Sequence, residues 1–287
     1  MRTIHTCGVI GGDLRSVFLA RALLRAGFTV AVCGLEGAEL PAGVTACAAP
    51  AQAVPMMDAV ILPLPVTADG VHIHAPLARG PMRLDEVLQA ATPDQLLCGG
   101  QIPPEIAALA TQRGLRLEDY GRQEELAVFN AVPAAEGAIQ LAMEELPVTI
   151  SGSRCTVTGC GRVGRALATR LAALGARVTV VARDCADRAW AIGNGYAAEP
   201  PERLTELPPG DVIFNTVPAC LFNGEVLRHI GSRTLLIDLA SKPGGVDWDA
   251  AAMLRCRTIW ALSLPGRVAP ETAGEILART VLHLAGM

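Results

Sequence analysis

Apolar residues along this chain fall into short, nearly continuous runs rich in Val, Ile, Leu and Ala, separated by stretches with helical spacing. Runs of that kind read as strands buried on both faces of a parallel sheet. In the first half, Ile4 to Ile10, Phe28 to Cys33, Asp58 to Leu62, Gln95 to Cys98 and Leu115 to Leu117 are such runs. A helix is expected from about Asp13 to Ala26, closed by Gly27. A short helix near Leu84 to Ala90 and another over Pro103 to Arg113 follow the same reasoning. Residues 34 to 55, rich in Gly, Ala and Pro, read as loops around a short strand near Val44. Residues 66 to 83 have no clear period and read as an irregular loop.

Residues 120 to 150 differ in character. Pro133 suits the first turn of a helix, and the apolar-periodic run Ala138 to Leu146 follows it. This predicts a linker helix over 131 to 149. Strand and helix signals then alternate again. Strands are expected at Cys155 to Thr158, Arg177 to Ala182, near Tyr196, Asp211 to Asn215, Thr234 to Leu239 and Arg257 to Ala261. Helices are expected over Arg162 to Leu174, near Ala186 to Ile192 and near Trp248 to Leu254. A last helix, Glu271 to Ala285, is expected to return to the first half. The resulting fold class is α/β, with two Rossmann-like, doubly wound parallel-sheet domains joined by a long linker helix. The first domain takes residues 1 to 130 with 271 to 287, and the second takes 150 to 270.

Composition adds limits. The chain has 287 residues, 51% hydrophobic and only 3% aromatic, so its cores must be built from aliphatic side chains. No apolar run reaches the about 18 residues that span a bilayer. The N-terminus enters a strand directly, without a signal-peptide pattern. The formal net charge of −4 brings no basic patch, which argues against nucleic acid. Nine scattered cysteines form no C-x-x-C pair and most lie in apolar runs, so a reduced, cytoplasmic protein without disulfides or structural zinc is expected. His72 and His74 would share one face of a strand, but no third metal ligand accompanies them.

The chemistry centres on Gly159-Cys160-Gly161-Arg162-Val163-Gly164. This has the G-x-G-x-x-G spacing, between an apolar strand and a helical pattern. The first glycine permits the tight turn, the second a close approach to a pyrophosphate, and the third helix–strand packing, with helix N–H groups facing the phosphates. The second strand separates the two nicotinamide cofactors. An NAD site usually ends that strand in an acid that holds the ribose 2′-hydroxyl. Here it ends in Ala182-Arg183, which favours NADP, with NAD as the alternative. Arg162 can reach a phosphate. Asn215, Thr216, Val217 and Pro218 are expected along the ribose and nicotinamide.

Several motifs together resemble the A subunit of dipicolinate synthase. They are Ile10-Gly-Gly-Asp13-x-Arg15, Asn130-Ala-Val-Pro-Ala-Ala-Glu136-Gly137, the glycine motif, Asn215-Thr-Val-Pro218, Asp238-Leu-Ala-Ser-Lys242-Pro-Gly-Gly245 and Leu264-Pro-Gly266-x-Val-Ala-Pro270. They run in order over nearly the whole chain. The resemblance implies NAD(P)-dependent oxidation of a dihydrodipicolinate-type ring to dipicolinate in sporulating bacteria. It also implies a partner, a flavoprotein-like B subunit. The last motif also looks like the glycine loop of alanine dehydrogenases and transhydrogenases.

Such a reaction needs a proton acceptor and cations for two ring carboxylates. Lys242, in a loop after a strand end, is the expected carboxylate-binding cation or base. Gly12, Asp13 and Arg15 at the first helix, and Arg267, are expected on the substrate side, and Gly266 at the cofactor. Glu136 on the linker helix is a second catalytic candidate. The adjacent Glu124 and Glu125 would point apart on a helix and read as solvated. Two other readings compete: an amino-acid or shikimate-type dehydrogenase, and a non-catalytic dinucleotide-binding subunit that docks a flavoprotein. Ala-rich helices at the linker and C-terminus could bury a homo-oligomer face.

Overall fold

The computed structural model describes residues 4 to 287. The chain divides into two compact units, Met1–Asn130 with Ala269–Met287, and Ala131–Val268.

In the first unit the strands are β1 (Thr6–Ile10), β2 (Thr29–Cys33), β3 (Thr45–Cys47), β4 (Ala59–Ile61), β5 (Leu96–Gly99) and β6 (Arg116–Asp119). The helices are α1 (Leu14–Arg25), α2 (Pro50–Ala53), α3 (Leu84–Ala90), α4 (Pro104–Gln112) and the start of α5 (Glu124–Glu145). The sheet is entirely parallel, ordered β3-β2-β1-β4-β5-β6.

The second unit has β7 (Arg154–Thr158), α6 (Arg162–Ala173), β8 (Arg177–Val181), α7 (Cys185–Gly193), β9 (Ala197–Glu199), β10 (Val212–Asn215), α8 (Gly224–Ile230), β11 (Leu235–Asp238), α9 (Trp248–Met253), β12 (Arg257–Trp260) and α10 (Leu264–Val268). Its sheet runs β12-β11-β10-β7-β8-β9, again all parallel. Counted from each unit's first strand, both sheets have the order 3-2-1-4-5-6 of doubly wound dinucleotide folds. Their ligand-binding position lies beyond the carboxyl ends of β1 and β4 in one unit, and of β7 and β10 in the other.

The central strands are buried on both faces, as their unbroken apolar runs require. The last helix, α11 (Pro270–Leu284), packs along α1 in the first unit. Gly274 makes that crossing close, because a Cβ there would stand 2.6 Å from the Arg15 carbonyl oxygen and 2.8 Å from the Leu19 nitrogen.

Besides the one-turn α2, which stands in part of the loop expected over 34 to 55, three elements depart from the sequence expectation. The helix expected over 131 to 149, with Pro133 in its first turn, runs instead from Glu124 to Glu145, so Pro133 lies well inside it. An interior proline costs about 3 kcal/mol. Tertiary contacts made by the earlier residues offset that cost: Leu126 joins the first unit's core, Phe129 packs against it under the Arg279 guanidinium, and Glu125 bonds His283 at 2.7 Å. The resulting helix of 22 residues is long and apolar enough to cross a membrane, yet 44% of its apolar window is buried inside the protein. Ala131, Ala135, Ala138 and Ala142 are among the buried positions. Second, Leu264–Val268 is a short helix rather than a loop. Third, α8 has no counterpart among the helices expected from the sequence. Asn223 caps it by accepting from the amides of Glu225 and Val226.

Candidate functional site

In the second unit, β7 ends at Thr158 and α6 begins at Arg162, so the glycine motif forms the whole connection. Gly159 has φ +92°, a left-handed conformation that favours glycine. Gly164 faces the Gly159 carbonyl so closely that any Cβ would collide with it. Gly161 has nothing within 4 Å of its Cβ position, so its side faces open space. It is also the N-cap of α6 and, having no side chain, caps none of that helix's first N–H groups. The loop therefore offers an uncapped positive helix end with room for an incoming anion. Cys160 is 5% exposed and packs in the core, with burial as the main cause pushing its thiol up. Arg162 is exposed at the first turn of α6, and Val163 packs partly against the core.

At the end of β8, Arg183 is exposed, and Asp184 caps α7 by accepting from the Ala186 amide at 2.7 Å. Arg188, unremarked in the sequence, donates from Nη1 to the carbonyls of Ala182 at 2.8 Å and Arg183 at 2.6 Å. Two arginines thus flank the strand end, and the adjoining Asp184 carboxylate is engaged as a helix cap.

The ends of β7, β10 and β11 are tied together by a buried polar network. Register sets Thr158, Asn215 and Asp238 side by side, and all three are 0% exposed. Thr158 Oγ1 donates to Asn215 Oδ1 at 2.6 Å, and Asn215 Nδ2 donates to Asp238 Oδ1 at 2.7 Å and to the Val217 carbonyl at 3.0 Å. Asn215 therefore does not present its side chain to a cofactor, contrary to the sequence expectation; it shapes the Thr216–Pro218 turn. Thr216 bonds back to the Thr158 carbonyl, while Pro218 is exposed.

Asp238 also accepts from the amides of Ala240 at 3.1 Å and Gly245 at 2.8 Å. It thereby pins both ends of the loop carrying Lys242, which is exposed. Sequence reasoning missed Asp238 and Thr158 because nothing in an apolar run distinguishes a terminal acid or hydroxyl that turns inward. The motif Asp238-Leu-Ala-Ser-Lys242 was the only available signal.

Glu136 is elsewhere. It pairs with Arg170 Nε at 3.3 Å beside a groove of about 500 Å³ lined by Ile139, Met143 and Leu174. Arg170 is eight residues along α6 from Arg162, roughly 12 Å of helix rise. The catalytic role expected for Glu136 is therefore withdrawn. Gly266 and the exposed Arg267 lie on α10, whose Leu264 and Val268 pack against Gly137.

In the first unit, the N-terminus of α1 already holds an anion of its own. Asp13 caps it by accepting from the Arg15 amide at 3.0 Å. The same carboxylate takes Arg15 Nε at 2.9 Å and Nη2 at 2.9 Å, and Nη2 also bonds the Leu64 carbonyl at 2.7 Å. Burial pushes the Asp13 carboxyl up, but the Arg15 guanidinium and amide, with His74, outweigh it and hold the group below its ordinary 3.8. The paired glycines have a different cause. A strap, residues 63 to 83, crosses over them. Gly12 donates its amide to the His74 carbonyl at 2.9 Å, and a Cβ on Gly11 would stand 2.7 Å from Ile73 Cγ2. The Gly12 amide and the Arg15 guanidinium, expected to hold a substrate carboxylate, are thus engaged within the protein. His72 bonds Asp69 at 2.7 Å. No group of three His, Cys, Asp or Glu side chains able to hold a metal occurs among the described residues.

Comparison with known proteins decides the family. Residues 6–121 match the model for the N-terminal domain of the dipicolinate synthase A subunit, and residues 146–245 match a putative NAD(P)-binding model. The A subunit of dipicolinate synthase from Bacillus subtilis is 32% identical over 281 residues, covering 96% of this chain and 94% of that protein. The chain belongs to the family of dipicolinate synthase A subunits. The crystal structure of the Bacillus halodurans member superposes with a TM-score of 0.89 at 29% identity, covering 98% of each chain. A transhydrogenase from Sinorhizobium meliloti shares the fold with a TM-score of 0.70 at 16% identity, covering 97% of this chain and 93% of that one. In this member of the dipicolinate synthase family, then, the 159–164 loop lies in a segment matched as NAD(P)-binding.

Proposed function

We propose that this protein is an NADP-linked oxidoreductase that converts a dihydrodipicolinate-type ring dicarboxylate into dipicolinate. The observation that carries the cofactor reading is the end of β8, where Arg183 and Arg188 stand and Asp184 is held as a helix cap. A 2′-phosphate is attracted by that arrangement, whereas an NAD site would present a carboxylate to the ribose. Gly159, Gly161, Val163 and Gly164 would cradle the pyrophosphate with the uncapped α6 N-terminus, and Arg162 would add a cation. Thr216, Val217 and Pro218 would line the ribose and nicotinamide. The bound oxidised dinucleotide supplies a hydride acceptor. Lys242, carried on the loop that Asp238 pins, would bind a ring carboxylate; its exposure favours ion pairing over service as a desolvated base. Arg267 remains a second candidate cation.

Partnership with a flavoprotein-like B subunit, together with a role in the mother-cell cytoplasm during sporulation, is part of this proposal and rests on the family. The test is a titration of NAD and NADP into the purified full chain, followed by addition of freshly made dihydrodipicolinate with and without the B subunit. NADP binding at least about tenfold tighter, with dipicolinate formed in step with cofactor reduction, is the expected result. Equal affinity for both cofactors overturns the NADP assignment. Cofactor binding without any reduction under either condition overturns the enzyme reading and favours a dinucleotide-binding docking subunit.

A further inference from the structure

Three sulfur side chains meet within the first unit. Cys33 ends β2 and Cys47 ends β3, and the register of these parallel neighbours sets the two residues side by side. Cys33 is 2% exposed and belongs to the core on one face of the sheet. Cys47 and Met82 pack against that same core. Met82 comes from the end of the strap, and its Sδ stands 3.8 Å from Cys33 Sγ.

Two neighbours make this meeting possible. Gly34 follows Cys33 with φ +74°, and a Cβ there would stand 2.8 Å from Met82 Sδ, so glycine lets the thioether reach the thiol. Glu36 joins the end of β2 to the strap by accepting from the amides of Gly34 at 3.2 Å and Arg79 at 3.3 Å. Those bonds hold the Met82 arm over the strand ends and occupy the carboxylate on the adjoining cavity wall. That cavity, of about 300 Å³, is lined by Gly34, Glu36, Ala48, Arg79 and Met82. It gives a small ion a way in beside the half-buried Cys47.

The spacing separates two kinds of sulfur chemistry. Parallel neighbours in a sheet lie about 4.8 Å apart, whereas a disulfide draws its Cβ atoms to about 3.8 Å. Joining Cys33 to Cys47 directly would therefore pull β3 towards β2. A metal ion needs no such movement. Sulfurs bound at about 2.3 Å around a trigonal centre stand about 4.0 Å from one another, close to the 3.8 Å between Cys33 and Met82. Structural zinc closes its shell with four ligands. Three sulfurs, one of them a thioether, form the soft set of low coordination number that selects monovalent copper.

We propose that Cys33, Cys47 and Met82 form a binding site for a soft monovalent cation, Cu(I). On binding, the two thiols release their protons to water and coordinate as thiolates, while the thioether binds unchanged. The ion keeps its oxidation state, and the centre carries one net negative charge. The bound ion ties the strap to β2 and β3. The site lies wholly within the first unit and is independent of the oxidation proposed above.

The experiment uses the full chain, reduced and kept anaerobic, with Cu(I) delivered against bicinchoninate as the competing chelator. The exposed Cys185 and Cys220 are first replaced by serine, and Cys33→Ala, Cys47→Ala and Met82→Leu are made in that background. The background chain should hold one equivalent of Cu(I). Cys33→Ala and Cys47→Ala should each weaken binding at least about 100-fold, and Met82→Leu about tenfold. X-ray absorption should show a shell of three sulfurs in the background chain and of two in Met82→Leu. Binding should raise the thermal midpoint of the background chain and slow proteolysis of the strap. Cys47 is half-buried and Met82→Leu nearly conserves volume, so these two variants should keep the metal-free midpoint and carry the test even if Cys33→Ala unfolds. Equal Cu(I) affinity in the background chain and Cys47→Ala overturns the site, as does a copper shell containing nitrogen or oxygen. Undiminished binding by Met82→Leu overturns the part of the thioether, and with it the tie between strap and sheet.

Discussion

Asn215 hands its amide to Asp238 across two adjacent parallel strands at 2.7 Å, with both side chains fully withdrawn from solvent. The pair couples the turn after β10 to the loop after β11. Asp238→Ala would leave the buried amides of Ala240 and Gly245 without their acceptor, at about 1–3 kcal/mol for each donor. Thermal unfolding should move down by roughly 5 °C or more, and the Lys242 loop should become protease-sensitive. An unchanged midpoint and cleavage pattern would show that the network is not what holds these loops.

The three glycines of the β7–α6 loop should separate by experiment. Gly164→Ala drives a methyl into the Gly159 carbonyl, so the fold should lose stability. A methyl at Gly161 meets only open space, so Gly161→Ala should fold with a wild-type thermal midpoint while binding dinucleotide at least about tenfold more weakly. Tight binding by Gly161→Ala would mean that the pyrophosphate does not approach there.

Charge reversal at Arg183 tests cofactor choice. Arg183→Asp should weaken NADP much more than NAD, and Arg188→Ala should do the same to a smaller degree, because Arg188 also holds two carbonyls. Parallel losses for both cofactors in isothermal titration would exclude a 2′-phosphate contact.

Lys242→Ala should abolish turnover while leaving NADP titration intact, since the side chain is exposed on a loop whose ends Asp238 fixes independently. Full activity in that variant would remove Lys242 from the mechanism.

Asp13 makes stability depend on acid pH. Its folded-state carboxyl titrates below the ordinary 3.8, so its contribution is complete above that value and is lost as pH falls through the lower folded value. Denaturant unfolding of wild type and Asp13→Asn should therefore differ by a constant amount from pH 5 to 7. The difference should narrow below about pH 4. A gap that widens on acidification would contradict the Arg15 pairing.

How much of the fold and site is legible in the sequence follows from local pattern against tertiary contact. Unbroken apolar runs mark the strands, and the spacing of Gly159, Gly161 and Gly164 locates the loop, because both are local properties. The start of α5 is not legible, because Pro133 is a strong local start signal and the packing of Leu126 and Phe129 overrides it. Glu136 looks catalytic by position on a motif, yet its partner is Arg170, which only the packing of α5 on α6 reveals. Gly11 and Gly12 stand out as unusual; that a strap 60 residues downstream requires them is not readable from spacing. Asp238 and Arg188 act through bonds to backbone groups that no spacing rule encodes.

The strap gives two sheets of identical strand order different fates. Where α6 leaves its first turn open, α1 carries a built-in counterion, and its glycine amide is held by the chain itself. The first unit is thus a doubly wound scaffold whose first helix end is capped by the chain's own carboxylate. A dinucleotide titration of this protein should saturate at one equivalent per chain.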